Sequence, residues 1–376
     1  MRHSLLALAL LTSLAACQKA EAPAAPVATD TPAAAIDTAA ADAAFADLSK
    51  RALDGWLQLS PVGATQIGEH KYDAEIDDLS AAGRQKNVDF GKKILAELDA
   101  LDVSTLSREN QVDAAILRNQ LQYDLWSAET MQAWAWDPQV YGGVAGSAIY
   151  GLMAREFAPL PQRIGSAVSR MEKIPALLAQ ARENLDPARV PKVHAETAAK
   201  QNSGILSIVE TFITPNLKDL PEAERTRAEK ATADLKKAVA EHQEWLDKTL
   251  VPNAKGDFRI GQTLYDQKLQ FALLSSLSRA DIKQRAEGEL KRVREEMYGI
   301  ARTVLKDKPG APEMPDTPTA EQQQKAIEAA LELAYADKPA RDKVVEAAEA
   351  ALASSTDFVR AKDLMTLPDS PVKIIT

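Results

Sequence analysis

The chain has 376 residues, a formal net charge of -9 at pH 7 and one cysteine. The acidic balance disfavours a nucleic-acid partner, because binding to phosphates requires an excess of Lys and Arg. A single cysteine excludes an intramolecular disulfide, and the length is sufficient for one large helical domain or two smaller ones.

The first residues have the three-part pattern of an export signal. Arg2 precedes an apolar run that is too short for a permanent membrane span. The run ends in Leu-Ala-Ala-Cys at residues 14–17, which matches the lipobox of bacterial lipoproteins. This resemblance implies a signal peptide over residues 1–16, cleavage between Ala16 and Cys17, and a palmitate-bearing membrane anchor at Cys17. The alternative, a buried structural cysteine, is disfavoured by this position.

The residues after the lipobox predict the membrane in which the lipoprotein is anchored. Gln18 occupies the position where Asp would favour inner-membrane retention, so the usual sorting pattern favours the outer membrane, with the protein facing the periplasm. Residues 17–41 are mostly Ala, Pro, Thr and acidic residues, with little to bury. Such a composition does not offset the entropy of ordering a backbone, so we predict a flexible tether.

The remaining residues, 42–376, are rich in Ala, Leu, Glu, Lys and Gln and poor in Gly, which predicts an all-α domain. We expect a multi-helix array or irregular bundle of long amphipathic helices, with a kink at Pro175. The expected helices span residues 42–59, 79–101, 107–131, 161–185, 191–209, 221–250, 279–300, 320–334 and 338–364.

Caps and breaks divide this helical pattern. Ser278 with Asp281, and Thr319 with Gln322, have the spacing of capping boxes. Two stretches interrupt the pattern, a Gly-rich and aromatic segment at 134–151 and a Pro-rich segment at 306–318, and we predict loops for both. After Pro368 and Pro371, Ile374 and Ile375 resemble the start of a short, unpaired strand.

The sequence supplies no catalytic or metal-binding constellation that we can assign. A helical zinc site needs ligands three or four residues apart, and His194 and His242 have none at those positions. His70 has Asp73 in a predicted loop, and we interpret the three histidines after the signal as solvated. Ser147 lacks the spacing of a nucleophile elbow. The paired carboxylates Asp77-Asp78, Glu222-Glu224 and Glu295-Glu296 are interpreted as solvated faces.

One segment, SPVGATQIGEHKYDAEIDDLS at residues 60–80, resembles the opening signature of the bacterial domain-of-unknown-function family 885. Segments 106–117 and 257–269 resemble later parts of the family in the same order. The positions that fit the opening signature are Pro61, Ala64, Thr65, Gly68, Tyr72, Asp73, Asp78, Leu79 and Ser80.

The resemblance implies a mostly helical, exported or lipid-anchored protein, similar in architecture to helical zinc peptidases that enclose a substrate channel. The family's zinc signature is His-Glu-x-x-Pro-Gly-His, and it is not in this sequence. We therefore carry over no catalytic residue and no metal ligand, and we expect no cofactor on this chain, with zinc only in full-length family members.

Three functions stay open at this point. The first is a truncated family member, with residues 42–376 forming the non-catalytic wall of a peptide channel and showing no activity alone. It predicts exposed apolar faces where a missing half, or a separate polypeptide, would pack. The second is a non-enzymatic envelope lipoprotein that binds a peptide or another envelope protein. The third is an enzyme of another class that uses unassigned carboxylates.

Overall fold

The computed structural model describes residues 38–372 and Ile374, so Ala16 and Cys17 lie outside the described residues. The described part is all-α, which confirms the predicted fold class. Its β pairing is one isolated parallel bridge between Pro191 and Gly256. The predicted C-terminal strand is absent up to Val372, and Ile375 is not described.

Sixteen α-helices follow one another along the described chain. They are α1 Ala39–Leu59, α2 Pro61–Gln66, α3 Ala81–Asp99, α4 Arg108–Trp126, α5 Ala133–Trp136, α6 Gln139–Met153, α7 Leu160–Met171, α8 Ile174–Asn184, α9 Lys192–Gln201, α10 Gly204–Phe212, α11 Glu222–Trp245, α12 Val251–Asn253, α13 Gln262–Leu273, α14 Arg279–Val304, α15 Ala320–Tyr335 and α16 Val344–Lys362. Short π-helical turns at Ser127–Met131 and Leu246–Leu250 extend α4 and α11.

The described residues divide into two compact units. For residues 42–376 the sequence allowed one large helical domain or two smaller ones. The first unit ends at Phe271 and the second begins at Ala272, within α13. Helices α1 to α12 therefore belong to the first unit, and α14 to α16 belong to the second.

The first helix begins earlier than predicted. We expected the tether to run to residue 41, whereas α1 begins at Ala39. Ala39, Ala40 and Ala41 are the strongest helix formers, and Ala41 packs against the first buried cluster, so these residues gain more from the helix than from an extended tether.

The predicted loop over residues 134–151 is wrong. Most of it forms α5 and α6, and α6 lies in the main core with Tyr141, Ala145 and Ile149 fully buried. Its glycines lower helix propensity, but the apolar face of α6 packs in the main core, and this burial stabilises the helix more than the glycines weaken it. Tertiary packing therefore determines the secondary structure of this segment, although its composition favours a loop.

Two predicted helices are each divided in the structure. The 161–185 helix ends at Met171 and restarts at Ile174, so Pro175 lies in the first turn of α8 instead of kinking a continuous helix. A proline is tolerated there because first-turn N–H groups have no partner within the helix. The 191–209 helix is likewise interrupted, near the buried Asn202, whose amide donates to the carbonyl of Val239 at 3.0 Å.

The large core of the first unit is formed by α6, α7, α8, α10 and α11. A smaller cluster joins α1, α3 and α4 around Phe45, Leu48, Ile94 and Leu98. Close approach of α1 to α3 depends on Gly55, because a Cβ at that position would lie 2.2 Å from the ring of Phe90. These three helices surround the cleft described below.

The second unit has a small core. Helices α14 and α15 pack together around Tyr298, Ala301, Leu305 and Ala326. Both predicted capping boxes are present, at Ser278 and at Thr319. The predicted loop over residues 306–318 is also confirmed, and its Pro315 carbonyl accepts a hydrogen bond from the Tyr298 hydroxyl at 2.7 Å.

Helix α16 differs from α14 and α15, since it has no buried residue. Val344 and Phe358 are about half exposed on α16, and Leu290 is exposed on α14. Exposed apolar faces were expected for a unit that packs against a further polypeptide.

Candidate functional site

A cleft of about 910 Å³ lies between α1, α3 and α4 in the first unit. Each helix contributes residues at helical spacing, because positions three or four apart share one face. Helix α1 supplies Phe45, Ser49, Ala52, Trp56 and Leu59; α3 supplies Arg84, Asn87, Val88 and Gly91; α4 supplies Asp113, Ile116, Leu117, Gln120, Leu121 and Asp124.

The α4 face places two carboxylates along the cleft, at Asp113 and Asp124. The amide of Gln120 donates a hydrogen bond to Asp124 at 2.9 Å. The Asp124 side chain is exposed, yet the protein around its carboxyl disfavours the charged form and raises its pKa. A charged group in a concave, apolar setting of this kind interacts more strongly with a ligand than one on an open surface.

Asp77 also lines the cleft. Its carboxylate accepts hydrogen bonds from the Ser60 hydroxyl at 2.9 Å and from the Val62 backbone N–H at 3.0 Å. Burial nevertheless raises the pKa of Asp77. The adjacent Asp78 is more exposed; burial alone would raise its pKa, but hydrogen bonds from Ser80 lower it. The prediction that this carboxylate pair is solvated is therefore wrong for Asp77, which is half-buried.

Arg84 and Trp134 form a stacked pair on the wall of the cleft, with the guanidinium 3.8 Å from the indole centroid. Arg84 also donates to the carbonyl of Leu79 at 2.7 Å, and burial lowers its pKa. The Trp134 carbonyl accepts a hydrogen bond from the buried Tyr141 hydroxyl at 2.7 Å. The aromatic segment misassigned as a loop thus positions one wall of the cleft.

A buried arginine, Arg170 of α7, positions the segment that resembles the family signature. Its side chain is 0% exposed. It donates to the Thr65 hydroxyl at 2.7 Å and to the carbonyls of Glu75 at 2.7 Å and Pro61 at 3.0 Å. Thr65 in turn donates to Asp73 at 2.6 Å. Burial lowers the pKa of Arg170 to about 10, so it stays charged at neutral pH.

These contacts give the signature residues a structural role. Gly68, at φ +92, provides the turn after α2, and the Arg170 network holds the chain between α2 and α3 in place. Sequence analysis did not identify Arg170. One signal was available in the sequence: Arg170 directly precedes Met171, which we assigned to the apolar face of this helix. A charged side chain next to an apolar face must find polar partners if it is buried.

The histidines do not come together. His70 stacks on Phe157 with centroids 3.5 Å apart and contacts Asp73 at 2.9 Å, and His194 contacts Asp137 at 3.3 Å. The prediction of a solvated side chain is wrong for His242, which is 5% exposed in the core of the first unit. Burial lowers the pKa of His242 to about 4.

No three His, Cys, Asp or Glu side chains between residues 38 and 372 lie close enough together to hold a metal ion. The residues of the described chain therefore do not fit the zinc that the family resemblance implies, and no chemical step is assigned to that metal. Glu222, Glu224, Glu295 and Glu296 are exposed, as predicted. None of the described helices is both long and apolar enough to cross a membrane.

Comparisons with known proteins agree with this architecture. No protein with curated annotation matches the chain. A solved structure from Shewanella oneidensis, described as "a putative lipoprotein of unknown function", is similar at 29% identity with a TM-score of 0.69. The match covers 86% of this chain and 59% of that protein, so this chain spans about three fifths of its length. The family model described as "Bacterial protein of unknown function (DUF885)" matches residues 61–376, and the chain belongs to this family.

Proposed function

We propose that the chain is a lipid-anchored envelope protein whose cleft binds apolar peptide segments, forming one wall of a peptide channel without catalysing hydrolysis itself. The observation that carries this proposal is the cleft of about 910 Å³ in the first unit. Its volume is within the range typical of ligand sites, and apolar walls with a few polar groups are the usual composition of such sites.

The cleft offers both kinds of contact that an extended peptide needs. Trp56, Phe90 and Ile116 can cover apolar side chains, and the exposed amide of Gln120 can hydrogen-bond to peptide groups. The family resemblance to channel-forming zinc peptidases supports a peptide as the ligand.

Peptide binding can be measured by calorimetry with the purified chain, without its signal peptide, and the neutral peptide N-acetyl-Leu-Phe-Leu-amide. We expect Ile116→Asn to weaken binding about tenfold, because an apolar contact in the cleft is lost. Ile67→Asn is the matched control, since Ile67 is similarly exposed but does not line the cleft. Equal affinities for the two variants would contradict the proposed site.

Membrane anchoring is supported by Leu-Ala-Ala-Cys at residues 14–17 and by the description of the Shewanella oneidensis protein as a lipoprotein. We place the anchor at Cys17 and the protein at the periplasmic face of the outer membrane. Labelling cells with a palmitate analogue should mark the wild-type chain and leave Cys17→Ala unlabelled and in the soluble fraction. A Cys17→Ala chain that stays labelled would refute the anchor.

The absence of hydrolysis is also an expectation that can be tested. The purified 376-residue product is expected to leave peptides intact in the presence of zinc. Zinc-dependent cleavage that a chelator abolishes would contradict the assignment of a non-catalytic wall.

A second candidate function, holding another envelope protein, is favoured by the exposed apolar side chains of α16. A photo-crosslinking residue at position 358 should then capture a protein in intact cells, whereas one at Lys362, on the charged end of α16, should not. Equal crosslinking at both positions would count against this function.

A further inference from the structure

The charge of the cleft is strongly one-sided. Four carboxylates line it, and Arg84 is the one cation among the lining residues. Two of the carboxylates, Asp77 and Asp78, precede α3, and the other two, Asp113 and Asp124, lie on α4. Negative charge therefore borders the apolar walls on two sides.

Two arginines offset part of this charge, because Arg84 interacts electrostatically with Asp78 and Arg170 with Asp77, but neither acts on Asp124. The Arg84 guanidinium also stacks on Trp134 and donates to the Leu79 carbonyl. In the described part of the chain, none of the four carboxylates forms an ion pair, and the side chains that hydrogen-bond to them are neutral: Ser60 for Asp77, Gln180 for Asp78 and Gln120 for Asp124. The cleft is thus complementary to a cation.

The carboxylates do not converge on one point as metal ligands do, which favours an organic cation with apolar groups around it.

We propose that the cleft selects apolar peptides that carry an ammonium group, either a free amino terminus or a lysine side chain. The ammonium lies against the carboxylate of Asp124, and the apolar side chains lie against Trp56, Phe90 and Ile116. This inference rests on the proposed peptide-binding function and adds the class of peptide.

The test compares peptides of equal size and different charge, with the purified chain and calorimetry. The probes are Leu-Phe-Leu-amide with a free amino terminus, neutral N-acetyl-Leu-Phe-Leu-amide, and anionic N-acetyl-Leu-Phe-Leu. N-acetyl-Leu-Lys-Leu-amide separates a lysine side chain from an amino terminus. We expect at least one ammonium-bearing peptide to bind about tenfold more tightly than the neutral peptide, and the anionic peptide to bind most weakly.

Asp124→Asn should reduce the preference for the ammonium-bearing peptide about fivefold, the loss typical of one partly solvated ion pair. Asp89→Asn is the matched control. Asp89 accepts from Gln85 at 2.8 Å with the same spacing as Asp124 and Gln120, but it does not line the cleft. Helical circular dichroism verifies that both variants fold.

The outcomes separate the two proposals. The proposed charge selectivity is overturned if the neutral peptide binds as tightly as both ammonium-bearing peptides. It is also overturned if Asp124→Asn and Asp89→Asn show the same preference for the ammonium-bearing peptide over the neutral one. In both cases the proposal that the cleft binds peptides is unaffected. If no peptide binds, the proposed function and the inference that rests on it are both overturned.

Discussion

The two compact units contain amphipathic helices of similar appearance in sequence but bury very different amounts of side chain. In the first unit, α6, α7, α8 and α11 share a continuous core. In the second unit, the buried cluster is limited to Tyr298, Ala301, Leu305 and Ala326. Helix formation therefore follows from local sequence in both units, whereas burial depends on which faces find partners.

The largest expected effect is that of Arg170→Met in the first unit. We expect the free energy of unfolding to fall by about 3–5 kcal/mol. The carbonyls of Pro61 and Glu75 would lose a buried hydrogen-bond donor, and Asp73 would lose a nearby cation. Urea unfolding followed by tryptophan fluorescence measures this loss, since all five tryptophans lie in the first unit.

The matched control for Arg170→Met is Arg292→Met in the second unit. Arg292 forms exposed ion pairs with Glu289 and Glu296. Replacing it should lower the free energy of unfolding by less than about 1 kcal/mol, which denaturant unfolding followed by circular dichroism measures. Equal losses of stability in the two variants would contradict the expectation that the buried network of Arg170 stabilises the protein more than the surface ion pairs of Arg292.

A paired truncation of isoleucines tests the difference in burial directly. Ile149 is 0% exposed and Ile300 is 56% exposed. We expect Ile149→Ala to lower the free energy of unfolding by about 4 kcal/mol, and Ile300→Ala by about 0.5 kcal/mol or less. Denaturant unfolding by circular dichroism measures both variants. A large loss at Ile300 would mean that the second unit is packed as tightly as the first.

Acid sensitivity is expected to distinguish the units, because the second unit has no histidine. In the folded first unit, burial lowers the pKa of His242 from its ordinary value of about 6.5 to about 4. Between these values the unfolded chain binds a proton that the folded chain does not. Stability should therefore fall as pH decreases from about 6.5 to about 4, by about 3 kcal/mol.

His242→Phe should remove this part of the pH dependence, because Phe does not titrate and can stack on Trp245 as His242 does. His194→Gln is the control, since His194 is only half-buried. An acid dependence of tryptophan fluorescence that is unchanged in His242→Phe would show that another group causes it.

The smallest expected effect compares two helix caps of the same kind. The Ser80 hydroxyl accepts from the Gly83 N–H at 3.1 Å in the first unit, and the Ser278 hydroxyl accepts from the Asp281 N–H at 3.1 Å in the second. Ser80→Ala and Ser278→Ala should each cost about 1 kcal/mol, because a cap acts locally. Thermal unfolding by circular dichroism measures both, and a several-fold difference would contradict a local effect.

Most of the local structure could be predicted from the sequence. Apolar residues at helical spacing predicted α1, α3, α4, α11 and α14, and both capping boxes were identified from residue type and spacing alone. These features depend on residues a few positions apart, so the sequence contains the information directly.

The candidate site was less accessible to sequence analysis. Trp56 and Arg84 are 28 positions apart along the chain, and no spacing rule relates them, yet both line the cleft. Arg170 and its acceptor Pro61 are separated by 109 positions. The segment 134–151 was misassigned because its Gly content is typical of loops, whereas the packing of α6 in the core favours a helix.

The sequence by itself determined the all-α class, the helix caps, the acidic character and the membership of the family, since each depends on composition or local order. Only the tertiary structure decided that His242 and Arg170 are buried, that Asp77 lies in a cleft, and that the two units differ in core. The physical reason is that desolvation and burial depend on neighbours distant in sequence, which a pattern of residue types does not specify.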